Sequence, residues 1–149
     1  MKSSTRHILL FTLLGLLIVS GLLPSCSNRI FDASRATRAY PHELTQGETI
    51  ECVAYRDSAQ LVIVNNTLNQ FENFDIWLNQ QFVTHIEMLK PGATIKLQIT
   101  DFFDEWGETP VPGGFFRSRP PTRIGLVQFQ LDQTSPLIGL LTTPLNNEL

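Results

Sequence analysis

The sequence is poor in several features that define particular protein classes. It has two cysteines in 149 residues, no glycine period and no heptad charge pattern, which excludes disulfide scaffolds, collagen-like chains and coiled coils. Basic residues are also few, because 11 Lys and Arg stand against 14 Asp and Glu and give a formal net charge of −3. Nucleic-acid partners are therefore disfavoured, since phosphate binding needs clustered positive charge.

Motifs for the common catalytic chemistries are absent as well. The chain contains no G-x-S-x-G elbow, no H-E-x-x-H metal motif, no phosphate-binding loop and no C-x-x-C pair. These absences imply no cofactor and lower the expectation of an enzyme. The length suits one domain, because single domains commonly hold about 100–150 residues.

One long apolar run is present, and it lies at the N-terminus. A short basic segment from Met1 to His7 precedes an uncharged run from Ile8 to Leu23. As a helix this run would span about 24 Å, which is shorter than the roughly 30 Å hydrocarbon core of a bilayer. A basic start, a short apolar run and small residues after it are typical of an export signal.

The run ends in Leu23-Pro24-Ser25-Cys26, which resembles the lipobox of bacterial lipoproteins. The resemblance implies cleavage between Ser25 and Cys26, a diacylglyceryl group on the Cys26 thiol and acylation of the new amine. It also implies the membrane as a partner through the lipid anchor, and a place in the cell envelope facing the periplasm or the exterior. An uncleaved anchor helix and an ordinary signal cut elsewhere are the alternatives.

Cleavage before Cys26 changes the length and the formal charge of the remaining chain. Removing 25 residues leaves 124 and takes away two basic residues and no acid, so the formal charge becomes −5. Cys52 is then the remaining thiol, and strand alternation places it on one face with Ile50 and Ala54, which predicts a small core residue. The alternatives are a reactive thiol, an intermolecular disulfide or a bridge from Cys52 to an unlipidated Cys26.

The mature chain divides into a tether and a β domain. Residues 26–46 are mixed and polar, which predicts a lipidated N-terminus and a flexible tether that is solvated or touches anionic head groups. Seven glycines or prolines in 107–121 predict a long loop. Short runs of branched and aromatic residues between turn signals predict strands at Ile50–Tyr55, Gln60–Val64, Phe74–Leu78, Phe82–Ile86, Thr94–Phe102 and Ile124–Leu131.

These patterns predict an all-β fold. Residues 47–149 are expected to form a small antiparallel β-sandwich or barrel-like domain after an N-terminal signal helix, 1–25, and the tether.

Two groups of side chains are candidates for chemistry. His85 and Glu87 lie on the same side of a predicted strand, where they could share a metal or form ordinary cross-strand polar pairs. The densest acidic cluster could bind calcium or supply an acid and a base, or it could consist of solvated charges beside buried aromatic rings. Its members are Asp101, Asp104, Glu105 and Glu108.

Two functions from different classes follow. The favoured one is a lipid-anchored envelope lipoprotein with a non-catalytic β-rich interaction or structural module, which contacts another envelope protein or a polymer. Trp106, Phe115 and Phe116 are the expected contact residues, although packing of these rings under the loop is an equal alternative. The second function is a small extracytoplasmic hydrolase or metal-dependent enzyme that uses the acidic cluster or His85.

Overall fold

The computed structural model describes residues 31–112 and 119–143. In this part of the chain the regular structure is almost entirely strand, with two single 3₁₀ turns, and no helix is long and apolar enough to cross a bilayer. The all-β prediction is confirmed. The strands are β1 (Gln46–Asp57), β2 (Gln60–Asn65), β3 (Phe71–Leu78), β4 (Phe82–Leu89), β5 (Thr94–Gln98), β6 (Val127–Gln130) and β7 (Leu137–Thr143), and the turns are Ala33–Arg35 and Ile99–Asp101.

The seven strands form one sheet in the order β4-β3-β6-β7-β1-β2-β5. After β5 the chain returns to the opposite edge, where the Val83 N–H donates to the Phe103 carbonyl at 2.9 Å and the Phe103 N–H donates to the Val83 carbonyl at 3.1 Å. This bridge brings the two ends of the sheet together, so the sheet is nearly closed and barrel-like.

One strand pair departs from the antiparallel expectation. β1 and β7 run parallel, with register shifts between Gln46 and Thr49 and between Ile50 and Val53, whereas the other named pairs are antiparallel. Strand β7 itself is absent from the six predicted runs. Three leucines and Gly139 fill four of its first five positions, and these residues carry little strand propensity compared with branched or aromatic ones.

The barrel interior holds the main core. Phe74, Ile76 and Leu78 alternate inward along β3, and Phe129 does so from the neighbouring β6. The Phe74 and Phe129 rings lie 4.7 Å apart between centroids, within the range of favourable aromatic pairs. Cys52 is fully buried in the same cluster, as its place in the strand alternation predicts.

A second, smaller cluster lies on the outer face of the sheet. Trp77 points away from the barrel interior, yet it is fully buried because residues 37–44 cross over it. The Tyr40 ring meets the indole edge-on at 5.2 Å, and the Arg38 guanidinium lies 5.3 Å from the centroid of the Trp77 ring. From residue 31 onward the segment expected to be a flexible tether is therefore part of the folded domain, because it covers an aromatic ring that the sheet leaves outside.

The neck of the glycine- and proline-rich loop is held by the buried side chain of Arg56. Its guanidinium donates to the carbonyls of Ser58, Pro112 and Thr122. The Thr122 N–H also donates to the Val111 carbonyl at 3.0 Å, which closes the two sides of the loop. The described parts of the predicted loop, 107–112 and 119–121, contain no strand or helix.

We predict that Tyr40→Ala lowers the free energy of unfolding by about 3 kcal/mol, because it uncovers Trp77 and removes the hydrogen bond from the Tyr40 hydroxyl to Gln128. Urea unfolding followed by fluorescence measures the change. Leu68→Ala, at a side chain that is 96% exposed, is the matched control and leaves the midpoint unchanged. Equal midpoints for both variants would mean that residues 37–44 do not belong to the folded domain.

Candidate functional site

A cleft of about 350 Å³ lies at one end of the barrel. It lies between the N-terminal segment, the β3–β4 turn and the chain that follows the second 3₁₀ turn. We call it the Trp106 cleft. It is lined by Ala39, Tyr40, His42, Gln80, Gln81, Asp104, Glu105 and Trp106.

The β3–β4 turn forms one wall of the Trp106 cleft. Asn79 and Gln80 both have positive φ angles, 52° and 58°, and the Gln81 N–H donates to the Leu78 carbonyl at 3.1 Å, as in a type I′ turn. The turn lies within a three-residue connection between the paired Leu78 and Phe82. The Asn79 side chain accepts from the Gly125 N–H at 2.9 Å, which fixes the turn against the chain before β6. A rigid turn therefore presents Gln80 and Gln81 to the cleft.

Asp104 organises the opposite wall. Its carboxylate is 1% exposed, and one oxygen accepts from the N–H groups of Trp106 at 3.0 Å and Glu108 at 2.8 Å. The other oxygen accepts from the Gln81 side chain at 3.1 Å. The Asp104 carbonyl also accepts from the Thr37 N–H at 2.9 Å. The hydrogen bonds to the Asp104 side chain therefore fix the conformation of the loop. Together with the bond from Thr37, they join the loop to the other two walls of the cleft.

Gly107 allows the N-terminal segment to approach this loop. Its φ is +83°, and a Cβ at this position would lie 2.2 Å from the carbonyl oxygen of Asp32. The Asp32 N–H donates to the Gly107 carbonyl at 2.9 Å, and Phe31 forms a β-bridge with Glu108. Trp106 stands beside this contact with its side chain 65% exposed.

The acidic residues singled out in the sequence do not form a common site. Asp101 and Glu105 are exposed, Glu108 is half-buried, and Asp104 is buried under its hydrogen bonds. Across residues 31–112 and 119–143 no group of three or more His, Cys, Asp or Glu side chains is placed to hold a metal ion. His42 and Glu105 do line the same cleft, where the His42 ring packs on Tyr40 at 4.9 Å.

His85 lies on the outer face of β4, with Asp75 as its cross-strand partner. The His85 Nδ1 is 2.8 Å from one oxygen of the Asp75 carboxylate, and the Arg38 guanidinium is 2.5 Å from the other. The same Arg38 nitrogen donates to Gln130 at 2.8 Å. His85 thus belongs to a polar pair across two strands, and the Arg38–Asp75–His85 chain ties the N-terminal segment to the sheet.

A row of polar groups beside Trp77 was not expected from the sequence. The Trp77 indole N–H donates to the Gln130 side chain at 2.7 Å, and the Tyr40 hydroxyl donates to Gln128 at 2.8 Å. The Gln128 amide in turn donates to Gln46. The signal in the sequence is the alternation of glutamines with inward Val127 and Phe129, which marks the opposite face of β6 as polar.

Cys52 lies in the barrel interior and outside the Trp106 cleft. Its thiol donates to the Asn65 side chain at 3.4 Å, and burial raises the pKa of the thiol to about 11. A high pKa and complete burial both disfavour the thiolate, which is the reactive form. The position suits a core residue rather than a nucleophile.

Four of the candidate site residues, Ser25, Cys26, Phe115 and Phe116, lie outside the described residues, as does the predicted signal helix, 1–25. Of the three expected contact residues, Trp106 alone is described, and its indole is exposed instead of packed under the loop. No protein-family model, curated protein or solved structure matches this chain.

We predict that Asp104→Ala lowers the free energy of unfolding by about 2 kcal/mol, because it leaves the N–H groups of Trp106 and Glu108 without their acceptor. Asp104→Asn retains a carbonyl oxygen and has a smaller effect. Chemical denaturation measures both variants, and Glu105→Ala, at an exposed neighbouring acid, is the control with no change. An Asp104→Ala protein as stable as the control would contradict the organising role of this carboxylate.

We predict that the Cys52 thiol in the folded Cys26→Ser protein is nearly inert at pH 8. With a pKa of about 11 instead of 9.0, the thiolate fraction falls about 100-fold, and burial slows attack further. An aromatic disulfide reagent measures the rate before and after unfolding in urea. The unfolded thiol ionises first as pH rises, so this group also stabilises the folded state less between pH 9 and 11. Equal rates in folded and unfolded protein would refute the assignment.

Proposed function

We propose that the chain is a lipid-anchored envelope lipoprotein whose β domain makes contacts and carries out no catalysis. The domain would be held at the membrane through Cys26 and would face the periplasm or the exterior. The proposal that the domain is not catalytic is supported by the hydrogen bonding of Asp104, one of the four acids in the cluster identified from the sequence. Its oxygens are bound by loop N–H groups and a glutamine, which leaves Trp106 exposed on a rigid support.

The lipid anchor rests on the N-terminal sequence. The run from Ile8 to Leu23 is too short to span a bilayer comfortably, and Leu23-Pro24-Ser25-Cys26 resembles a lipobox. A single acyl chain binds a membrane only marginally, whereas two or three chains hold a protein there stably. Lipidation of Cys26 would therefore replace a spanning helix as the means of attachment.

The proposal that the domain makes contacts is supported by the Trp106 cleft. Part of its polar lining is already hydrogen-bonded within the protein, with the Gln80 amide donating to the Tyr40 hydroxyl at 3.4 Å and the Gln81 amide to Asp104 at 3.1 Å. A preorganised surface of this kind offers an exposed indole without the cost of ordering a loop. An acid and a base that converge on one point would favour a hydrolase instead, and the acids at 101 and 105 are solvated.

We predict that the mature protein in the membrane fraction begins at Cys26 and carries diacylglyceryl and acyl mass on that residue. Cys26→Ser removes the thiol that would be alkylated and shifts the protein out of the detergent-rich phase on phase partitioning. Intact mass and the N-terminal peptide mass measure both changes.

Cys52→Ala is the matched control, because it removes the other of the two cysteines from a buried position and leaves the anchor in place. An unmodified peptide beginning at Cys26, or a mature chain that begins elsewhere, would falsify the lipoprotein assignment. Loss of membrane attachment in Cys52→Ala with retention in Cys26→Ser would do the same.

A further inference from the structure

We infer that Phe31 and Trp106 rest in the lipid headgroup layer of the membrane that anchors the chain. This inference rests on the proposed function, and it assigns the partner of the exposed Trp106 ring. Each of the two side chains is 65% exposed. We call these two residues the aromatic edge.

The backbone holds the aromatic edge together. Phe31 forms a β-bridge with Glu108, and the Asp32 N–H donates to the Gly107 carbonyl at 2.9 Å. Trp106 immediately precedes that glycine, and its N–H donates to the buried Asp104 carboxylate at 3.0 Å. Both residues therefore belong to one hydrogen-bonded junction, and each side chain is largely exposed there.

The length of chain before Phe31 limits how far this junction can lie from the lipid. Four residues lie between Cys26 and Phe31, and a fully extended chain covers about 17 Å over the five steps from one to the other. The headgroup layer on each side of a bilayer is about 5–8 Å thick. A lipidated Cys26 thus limits the aromatic edge to within about 17 Å of the anchored residue, and a linker shorter than full extension brings the edge closer to the headgroup layer.

The chemistry of the aromatic edge suits the headgroup layer. Tryptophan is enriched at this depth because its ring is apolar and its indole N–H finds polar partners there. The charges nearby are mixed, with half-buried Asp32 and exposed Glu105 against exposed Arg35. Such a surface gains little from anionic lipid and does not enter the hydrocarbon core. We therefore expect contact with neutral headgroups, and we expect it to depend little on salt.

The fold provides an internal reference for this orientation. Leu68 is 96% exposed in the connection that leads into the start of β3. The loop that contains Trp106 contacts the turn at the other end of β3, through the hydrogen bond from the Gln81 side chain to Asp104. A strand of eight residues separates these ends by about 23 Å, so Leu68 faces away from the membrane in the proposed orientation.

The two tryptophans of the chain make the inference measurable by fluorescence. Trp77 is fully buried and Trp106 is exposed, so a water-soluble quencher such as acrylamide reports on Trp106. The lipidated full-length mature protein is purified from membranes and reconstituted in phosphatidylcholine vesicles. Relative to Cys26→Ser protein in solution, acrylamide quenching falls about threefold as the indole leaves water, and brominated phosphatidylcholine quenches the emission.

Two variants separate insertion of Trp106 from simple attachment. Trp106→Phe leaves Trp77 alone, and its emission responds to neither quencher. Adding Leu68→Trp to that variant supplies an exposed indole at the far end, which acrylamide quenches and brominated lipid does not. High salt leaves all of these results unchanged.

An attached protein whose Trp106 remains open to acrylamide and untouched by brominated lipid would overturn the orientation and leave the anchor standing. The exposed ring would then be available to an envelope protein or a polymer. Failure of the purified protein to associate with vesicles at all would overturn the anchor and the orientation together. Brominated lipid that quenches the indole of the Leu68→Trp variant as strongly as it quenches Trp106 would also overturn the orientation.

Discussion

The indole of Trp77 leaves β3 on the face opposite Ile76 and Leu78, where a ring of that size must be covered or remain in water. Burying about 200 Å² of aromatic surface is worth about 5 kcal/mol, which is comparable to the whole stability of a small domain. Tyr40 and Arg38 provide the cover, and the Gln130 side chain accepts the indole N–H. Trp77, which points away from the barrel interior, therefore determines where the chain before β1 lies.

The cleft and the aromatic edge both follow from that path. Residues 37–44 cross Trp77, and the residues before them reach the loop that follows the second 3₁₀ turn. Gly107 lets the two backbones approach, and Asp104 connects the loop to Thr37 and to Gln81. The surface proposed for contact is therefore continuous with the outer core. Its rigidity derives from the hydrogen bonds of the Asp104 carboxylate, the β3–β4 turn and the bridge between Phe31 and Glu108.

Local signals in the sequence were sufficient for most of the fold. Alternation of branched and aromatic residues located six of the seven strands and placed Cys52 in the core, because both depend on neighbours two positions apart. The cover over Trp77 could not be predicted, since the segment around Arg38 and Tyr40 has no period and its partners are far away in sequence. The role of Asp104 could not be predicted for the same reason. Its position in an acidic cluster suggested a surface charge, whereas the side chain is buried and accepts hydrogen bonds from the loop. The sequence left Trp106 either in contact with a partner or packed under the loop, and its side chain is exposed. Its contact role and the lipid anchor remain predictions.

The parallel pairing of β1 with β7 has a kinetic consequence. The first and last strands of the described sheet are neighbours, so the sheet cannot be completed until residues 137–143 are available to fill the space between β1 and β6. Contacts between distant parts of a chain slow folding, because loop-closure entropy is lost before the contact forms. The sheet is therefore completed only when the last strand is in place. Until the final strand arrives, the β1–β2–β5 and β4–β3–β6 halves expose unpaired edges, and this is the interval in which the chain is most open to misassembly.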